Sequence, residues 1–83
     1  MKSFQPFVSV IIPVFNGEAF LAEAIESIHR QNYHPLETII VDDGSTDGTA
    51  TIASRFKESV RYIFQPNGGP AAARNRGLRM ARG

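Results

Sequence analysis

A β-branched, nearly continuous apolar run, Val8-Ser9-Val10-Ile11-Ile12, stopped by Pro13, constrains this chain more than any other feature. Side chains of a strand alternate between the two faces of its sheet. A run with little polar alternation therefore needs cover on both faces, as in parallel sheets flanked by helices. A second β-branched run, Leu36 to Val41, ends in Asp42, Asp43 and Gly44, and Val60 to Phe64 supplies a third. Between the first two, Phe20, Leu21, Ala24, Ile25 and Ile28 recur at spacings of three and four, predicting a helix from Gly17 to Gln31. Asn16 is its expected cap, with Glu18 in the first turn. His34 and Pro35 punctuate the loop that follows. Ser45, Thr46 and Asp47 are good caps for a short second helix whose stripe is Thr49, Ile52, Ala53 and Phe56. After the turn-rich Gln65-Pro66-Asn67-Gly68-Gly69, Pro70 is placed to open a third helix through Met80. The order βαβαβα implies right-handed crossovers and an α/β, Rossmann-like arrangement of three parallel strands with helices on the sheet faces.

Eighty-three residues allow one small domain with a core that is marginal on its own, so a truncated segment spanning residues 1–83 is expected. An apolar share of 42% and a charged share of 20% fit a soluble globular chain rather than a disordered or fibrous one. With no cysteine there is no disulfide framework, thiolate zinc site or cysteine nucleophile, and the cytoplasm is the favoured compartment. The longest apolar run, Phe7 to Phe15, is broken by Ser9 and Pro13 and falls far short of the roughly 20 residues of a membrane helix. Lys2 followed by apolar residues imitates a signal peptide, but Pro6 and Pro13 disrupt it and no small-residue cleavage site ends it. The net charge is +1, and nucleic acid is not an expected partner. From Arg61 onward, Arg61, Arg74, Arg76, Arg79 and Arg82 stand without an acid among them, which suits an anionic ligand, an acidic neighbour or a solvated helix face.

In an open parallel sheet, ligands bind beyond the carboxyl ends of the strands, where the loops leading into the helices gather. Those loops here are Pro13-Val14-Phe15-Asn16-Gly17, Asp42 through Gly48, and Asn67-Gly68-Gly69-Pro70. Two adjacent carboxylates at the end of a buried strand repel each other and lose hydration, so something must offset that cost. One reading has an Asp accept a hydrogen bond from the imide N–H of a nucleobase while the other braces the loop. The other reading has both bind backbone amides of the turn from Gly44 to Gly48. Asp43-x-Ser45-x-Asp47-Gly48 imitates the start of an EF-hand, but the twelfth position is Ser54 rather than Glu and a strand precedes it, which argues against calcium. Neither G-x-G-x-x-G nor G-x-x-x-x-G-K-[ST] is present, which disfavours a dinucleotide oxidoreductase or a P-loop nucleotidase. Helix amino termini remain available to anions, and Arg74, one turn into the third helix, is either an arm toward a bound anion or a surface residue. Phe15 either stacks on a base or packs in the core, and its place between Pro13 and the expected cap favours packing beside the pocket. His29 and His34 have no partner at a metal-binding spacing and receive no role.

Taken together, Val8-Ser9-Val10-Ile11-Ile12-Pro13-Val14-Phe15-Asn16, Val41-Asp42-Asp43-Gly44-Ser45-Thr46-Asp47-Gly48-Thr49 and Asn67-Gly68-Gly69-Pro70-Ala71-Ala72-Ala73-Arg74-Asn75-Arg76-Gly77 closely resemble family 2 glycosyltransferases across almost the entire chain. The resemblance implies the nucleotide-binding half of a GT-A nucleotide-diphospho-sugar transferase fold, with uridine most often the base recognised. By position, Pro13 and Phe15 flank the base and Asp43 reads it, with Asn16, Asp42, Gly69 and Arg74 nearby. It also implies a UDP-sugar donor, a carbohydrate or lipid-linked acceptor, inversion by in-line displacement, and a divalent cation (Mg or Mn) on the diphosphate. Neither the Asp-x-Asp metal motif nor the later acidic base of that family occurs before Gly83, so no catalytic or metal-binding residue is assigned and this polypeptide alone is expected not to catalyse transfer. The alternatives are a nucleotide-binding module without chemistry and a structural piece that assembles with its own copies. A free strand edge and uncovered helix faces predict self-association. Membrane attachment through other parts of a parent protein stays open.

Overall fold

The computed structural model describes residues 7–31 and 36–82. The expectations for Lys2, Pro6, His34 and Pro35 fall outside them. Along the chain run β1 (Val8–Val14), α1 (Leu21–Arg30), β2 (Leu36–Asp43), α2 (Thr49–Ser54), β3 (Arg61–Gln65) and α3 (Pro70–Met80). The strands form one parallel sheet in the order β1-β2-β3, with Val14 opposite Asp42 and Asp43 opposite Gln65. Their carboxyl ends, and the loops that follow them, therefore share one edge of the sheet. No described helix is long and apolar enough to cross a membrane.

Several boundaries differ from the sequence expectation. Pro13 does not stop β1, which continues to Val14. A proline inside a strand lacks a ladder donor, but among the described strands β1 lies at an edge, where the missing N–H can face away from β2. Asn16 does not cap α1: a turn intervenes in which the N–H groups of Phe20 and Leu21 both donate to the Gly17 carbonyl, at 3.1 and 2.9 Å, and α1 begins at Leu21. β2 also runs two residues past Val41, so Asp42 and Asp43 belong to the strand.

Strand alternation divides the core into two layers. Val14 and Ile40, joined by Ile12 and Tyr62, pack with Leu21 and Ile25 of α1 and Ala53 of α2. Ile39 and Val41, joined by Ile11 and Ile63, pack with Ala73 of α3 on the other side. Leu21, Ile25, Ile39, Ile40 and Val41 have no exposed surface, and each such side chain stabilises the fold by about 1.5–3 kcal/mol through removal from water. On the second layer α3 lies against the strands at Gly77, where an added Cβ would stand 2.4 Å from Ile11 Cγ2.

The odd-numbered residues of β2 also carry a carboxylate at each end of that layer: Asp43 where α3 begins and Glu37 where it ends. Glu37 is buried and accepts from Ser9 Oγ at 2.6 Å, Arg61 Nη1 at 2.9 Å and the Arg82 backbone N–H at 3.0 Å, with Arg82 Nε at 3.3 Å. Arg61 also donates to the Met80 carbonyl at 2.9 Å, tying the end of α3 to the sheet. Two of the five unpaired arginines of the sequence, Arg61 and Arg82, are thus neutralised by one acid. The Ser9 hydroxyl and Arg82 N–H, with the two guanidinium groups, outweigh burial and lower the Glu37 pKa from 4.5 to about 2. A carboxylate whose folded pKa is depressed contributes stability above its unfolded pKa and loses it as pH falls toward the folded value. Urea midpoints measured from pH 5.5 to 2.5 are therefore expected to fall more steeply in the native chain than in Glu37→Gln, with the difference concentrated below pH 4.5. Parallel curves would show that Glu37 is not the group responsible.

Candidate functional site

Consecutive strand residues point to opposite sheet faces, so Asp42 and Asp43 part company at the end of β2. Asp42 has no exposed surface. It accepts the Ser45 N–H at 2.9 Å through Oδ1 and the Tyr62 hydroxyl through Oδ2. Burial and the Asp42 carboxylate push the Tyr62 phenol well above its ordinary value, so the phenol stays a donor. The cost of adjacent acids is thus avoided by geometry, and Asp42 is committed to bracing its own loop.

Asp43 lies on the α3 side, buried to 3% exposure. Its Oδ1 accepts from Gln65 Nε2 and from the Gly68 N–H, each at 2.8 Å, and its Oδ2 accepts from the Gly69 N–H at 2.9 Å. Asn67 Nδ2 donates to the Asp43 carbonyl at 3.1 Å. The Gln65 amide first, then the Gly68 and Gly69 amides, hold the carboxyl below the usual Asp range against the opposing effect of burial. Gly69 has φ 94°, a conformation that side chains disfavour, and it directs the N–H at the start of α3 onto this anion.

The loops after β1 and β2 are cross-linked backbone to side chain. The Asn16 N–H donates to Ser45 Oγ at 2.8 Å, and the Thr46 N–H donates to Asn16 Oδ1 at 2.8 Å. The Glu18 N–H donates to Asp47 Oδ2 at 3.1 Å, and the Gly48 N–H donates to Glu18 Oε1 at 3.0 Å. The Gly17 N–H reaches Thr49 Oγ1 at 2.9 Å. Asn16 adopts φ 51°, the left-handed region that Asn tolerates better than most residues. The residue expected to cap a helix instead ties two loops together. Asp47, whose pKa is lowered chiefly by the Thr49 hydroxyl, also accepts the Thr49 N–H at 2.9 Å at the start of α2.

Pro13, Val14 and Phe15 from the first loop, Asp43 from the second, and Asn67, Gly69, Pro70 and Ala73 from the third line one cleft of about 270 Å³. Of the seven sequence-derived candidates, Pro13, Phe15, Asp43 and Gly69 meet there. Asn16, in the first loop, and Asp42, a residue of β2 bonded to Ser45 and Tyr62, are not in the lining, and Arg74 is an exposed residue of α3 outside it. Phe15 keeps 53% of its surface open, so it is a wall of the cleft rather than a core residue. Gln65 was not a candidate. A glutamine in a turn-rich stretch carries no mark of its own, and only the pairing of β2 with β3 sets it beside Asp43. His29 lies on α1, and no three His, Asp or Glu side chains gather as a metal-ligand set among the described residues.

The family model described as glycosyl transferase family 2 matches residues 9–83. An uncharacterised glycosyltransferase of Rickettsia typhi is 42% identical over 82 residues, covering 99% of this chain and 26% of that protein. The mannosyltransferase PcManGT from Pyrobaculum calidifontis, solved in complex with GDP-Man and Mn2+, superposes with a TM-score of 0.86 at 32% identity, over 95% of this chain and 25% of that one. S. aureus TarS 1-349 in complex with UDP gives 0.84 at 30% identity, with the same coverage. The chain thus spans about a quarter of the length of the proteins it matches in these comparisons. Three parallel strands with interleaved helices match GT-A glycosyltransferase structures. On the match from Ser9 to Gly83 and on this fold, the chain belongs to glycosyl transferase family 2.

Proposed function

We propose that this segment holds the nucleotide of a nucleotide-diphosphate sugar, with uracil against Pro13 and Phe15 and its imide N–H donated to Asp43. The observation that carries this is the convergence of three strand-end loops on one cleft that contains a buried, ionised carboxylate. A carboxylate has about four acceptor positions, and three protein donors already occupy Asp43. One position remains, on Oδ2. Uracil presents a single N–H flanked by carbonyls, whereas guanine presents two adjacent donors and cytosine an acceptor at the same place. A lone acceptor suits uracil. Arg74, at the amino end of α3, is placed for the diphosphate, and Asn16 and Asp42 support the site through the loops they tie.

In the whole protein this binding step would serve transfer of the sugar, with inversion, to the hydroxyl of a carbohydrate or lipid-linked acceptor. A divalent cation, Mg or Mn, would stabilise the leaving diphosphate through ligands outside this segment, and no step here runs through it. The GDP-Man and Mn2+ of one structural neighbour and the UDP of another support a nucleotide-sugar donor. Among the described strands β1 and β3 each have one unpaired edge, which supports self-association when nothing covers them.

Calorimetric titration of UDP, GDP and CDP into the protein carrying this chain tests the base assignment. UDP is expected to bind at least about tenfold more tightly than CDP, the effect of one N–H donor replaced by an acceptor at a buried charged partner. Equal affinities would remove base reading from Asp43. GDP binding as tightly as UDP would move the assignment to a guanine nucleotide.

A further inference from the structure

Asp43 is held by three donors, and two of them, Gly68 and Gly69, are backbone groups that no side-chain change removes. The third is Gln65, the last residue of β3, 7% exposed and directly opposite Asp43 in the parallel pairing of β2 with β3. Partner residues on neighbouring parallel strands lie about 4.8 Å apart with side chains on the same face, so a glutamine spans the gap to the carboxylate. The observed contact, Nε2 to Oδ1 at 2.8 Å, is buried. It occupies the second acceptor position of Oδ1 and leaves Oδ2 as the oxygen with spare capacity, and Asp43 is in the lining of the cleft.

We infer that Gln65 is a positioning residue for nucleotide recognition: its amide fixes the rotation of the Asp43 carboxylate and so holds Oδ2 as the acceptor for a base N–H. This rests on the reading of Asp43 as the base acceptor. The charged and titratable groups on the surrounding elements do not substitute for Gln65. Asp42 of β2 and Tyr62 of β3 are bonded to each other, Arg74 of α3 is exposed, Glu18 of the first loop is bonded to Gly48, and β1 carries no titratable side chain. Without Gln65, the Gly68 and Gly69 donors still outweigh burial and Asp43 stays ionised, but the rotation of its carboxylate is held by those two backbone groups alone.

The test is calorimetric titration of UDP into the protein carrying this chain and into its Gln65→Leu and Gln65→Glu variants, from pH 5 to pH 8. Each affinity is expressed relative to the native protein at the same pH, which cancels the ionisation of the nucleotide itself. Gln65→Leu is expected to lose UDP affinity by about three- to tenfold at every pH, the effect of one missing hydrogen bond on the orientation of a charged acceptor. Gln65→Glu is expected to lose affinity progressively as pH rises. Its protonated acid donates an O–H to Asp43 at low pH and so replaces the amide, and it becomes a second, repelling carboxylate as pH rises. A constant loss in Gln65→Leu beside a loss in Gln65→Glu that grows with pH, in two folded variants, supports the inference, because a loss of packing alone would shift both curves by a constant factor. A pH-independent loss in both variants, or no loss in either, overturns it. Asp43→Asn in the same series separates the two levels. If that variant binds UDP like the native protein, the base reading itself fails, whereas weak binding by Asp43→Asn alongside Gln65 variants that track the native protein removes only the role of Gln65.

Discussion

Replacing Gly77 by valine is expected to destabilise the fold by about 3 kcal/mol, as overpacking a filled core does. Gly77 lies inside α3, and in an exposed helix exchanging glycine for alanine stabilises by about 1 kcal/mol. Here the sign reverses. The first added carbon would meet Ile11 Cγ2 at 2.4 Å and Val41 Cγ2 at 3.3 Å, and Ile11 and Val41 are β-branched side chains held in strands with little rotamer freedom. Either α3 lifts from the sheet, opening the layer of Ile39, Val41 and Ala73, or β1 shifts against β2. The first also displaces Gly69 and Pro70 from the cleft, because they begin the same helix, and the second displaces Pro13 and Val14 of β1. Urea unfolding of the native, Gly77→Ala and Gly77→Val proteins measures this. Stability should fall in that order, and a stabilising Gly77→Ala would show that the close approach of helix and sheet is not tight.

Much of this architecture is legible in the residue pattern. The three β-branched runs and the intervening stripes place all six elements in order, and α3 from Pro70 to Met80 coincides with the expectation, since proline opens a helix and the turn before it is dense in glycine. What the pattern conceals is which strand lies at an edge and where each strand ends. Pro13 reads as a terminator because an interior strand would lose a ladder bond there, yet among the described strands β1 lies at an edge and continues. Asn16 has the chemistry of a helix cap and is drawn instead to Ser45 and Thr46 on another loop, a partnership 29 and 30 residues away that no local rule anticipates.

The acidic pair shows the same boundary between what is local and what is not. Adjacent carboxylates signal an unusual site, and their residue types alone leave base reading and loop bracing open. Once β2 is known to include them, alternation separates them: Asp42 braces a loop through Ser45 and Tyr62, while Asp43 lies in the lining of the cleft. Asp43 ties Gly68 and Gly69 of the third loop to the sheet, rather than the turn from Gly44 to Gly48 that the second reading expected, across 25 and 26 residues. Gln65 is invisible without the strand register. Glu37 shares a strand face with Asp43, six residues away, and that much follows from a period of two. Its arginine partners come from β3 and from the end of α3, which only the tertiary fold brings together.

The most direct test of the proposal that this cleft holds a nucleotide is calorimetric titration of UDP and CDP into the native protein and into Asp43→Asn. Asparagine preserves shape but replaces one carboxylate oxygen with an NH2 group. If that group takes the Oδ2 position, it faces the Gly69 N–H and the ligand. If it takes the Oδ1 position, it faces Gln65 Nε2 and the Gly68 N–H. In both orientations donors oppose donors, so the variant loses the anion and part of the loop anchoring together. UDP affinity is expected to fall about 10- to 100-fold, the range for a hydrogen bond to a charged partner, and the preference for UDP over CDP to shrink or invert. UDP affinity within twofold of native, with the preference unchanged in a folded variant, would contradict the assignment of Asp43 and with it the account of this cleft as a nucleotide site.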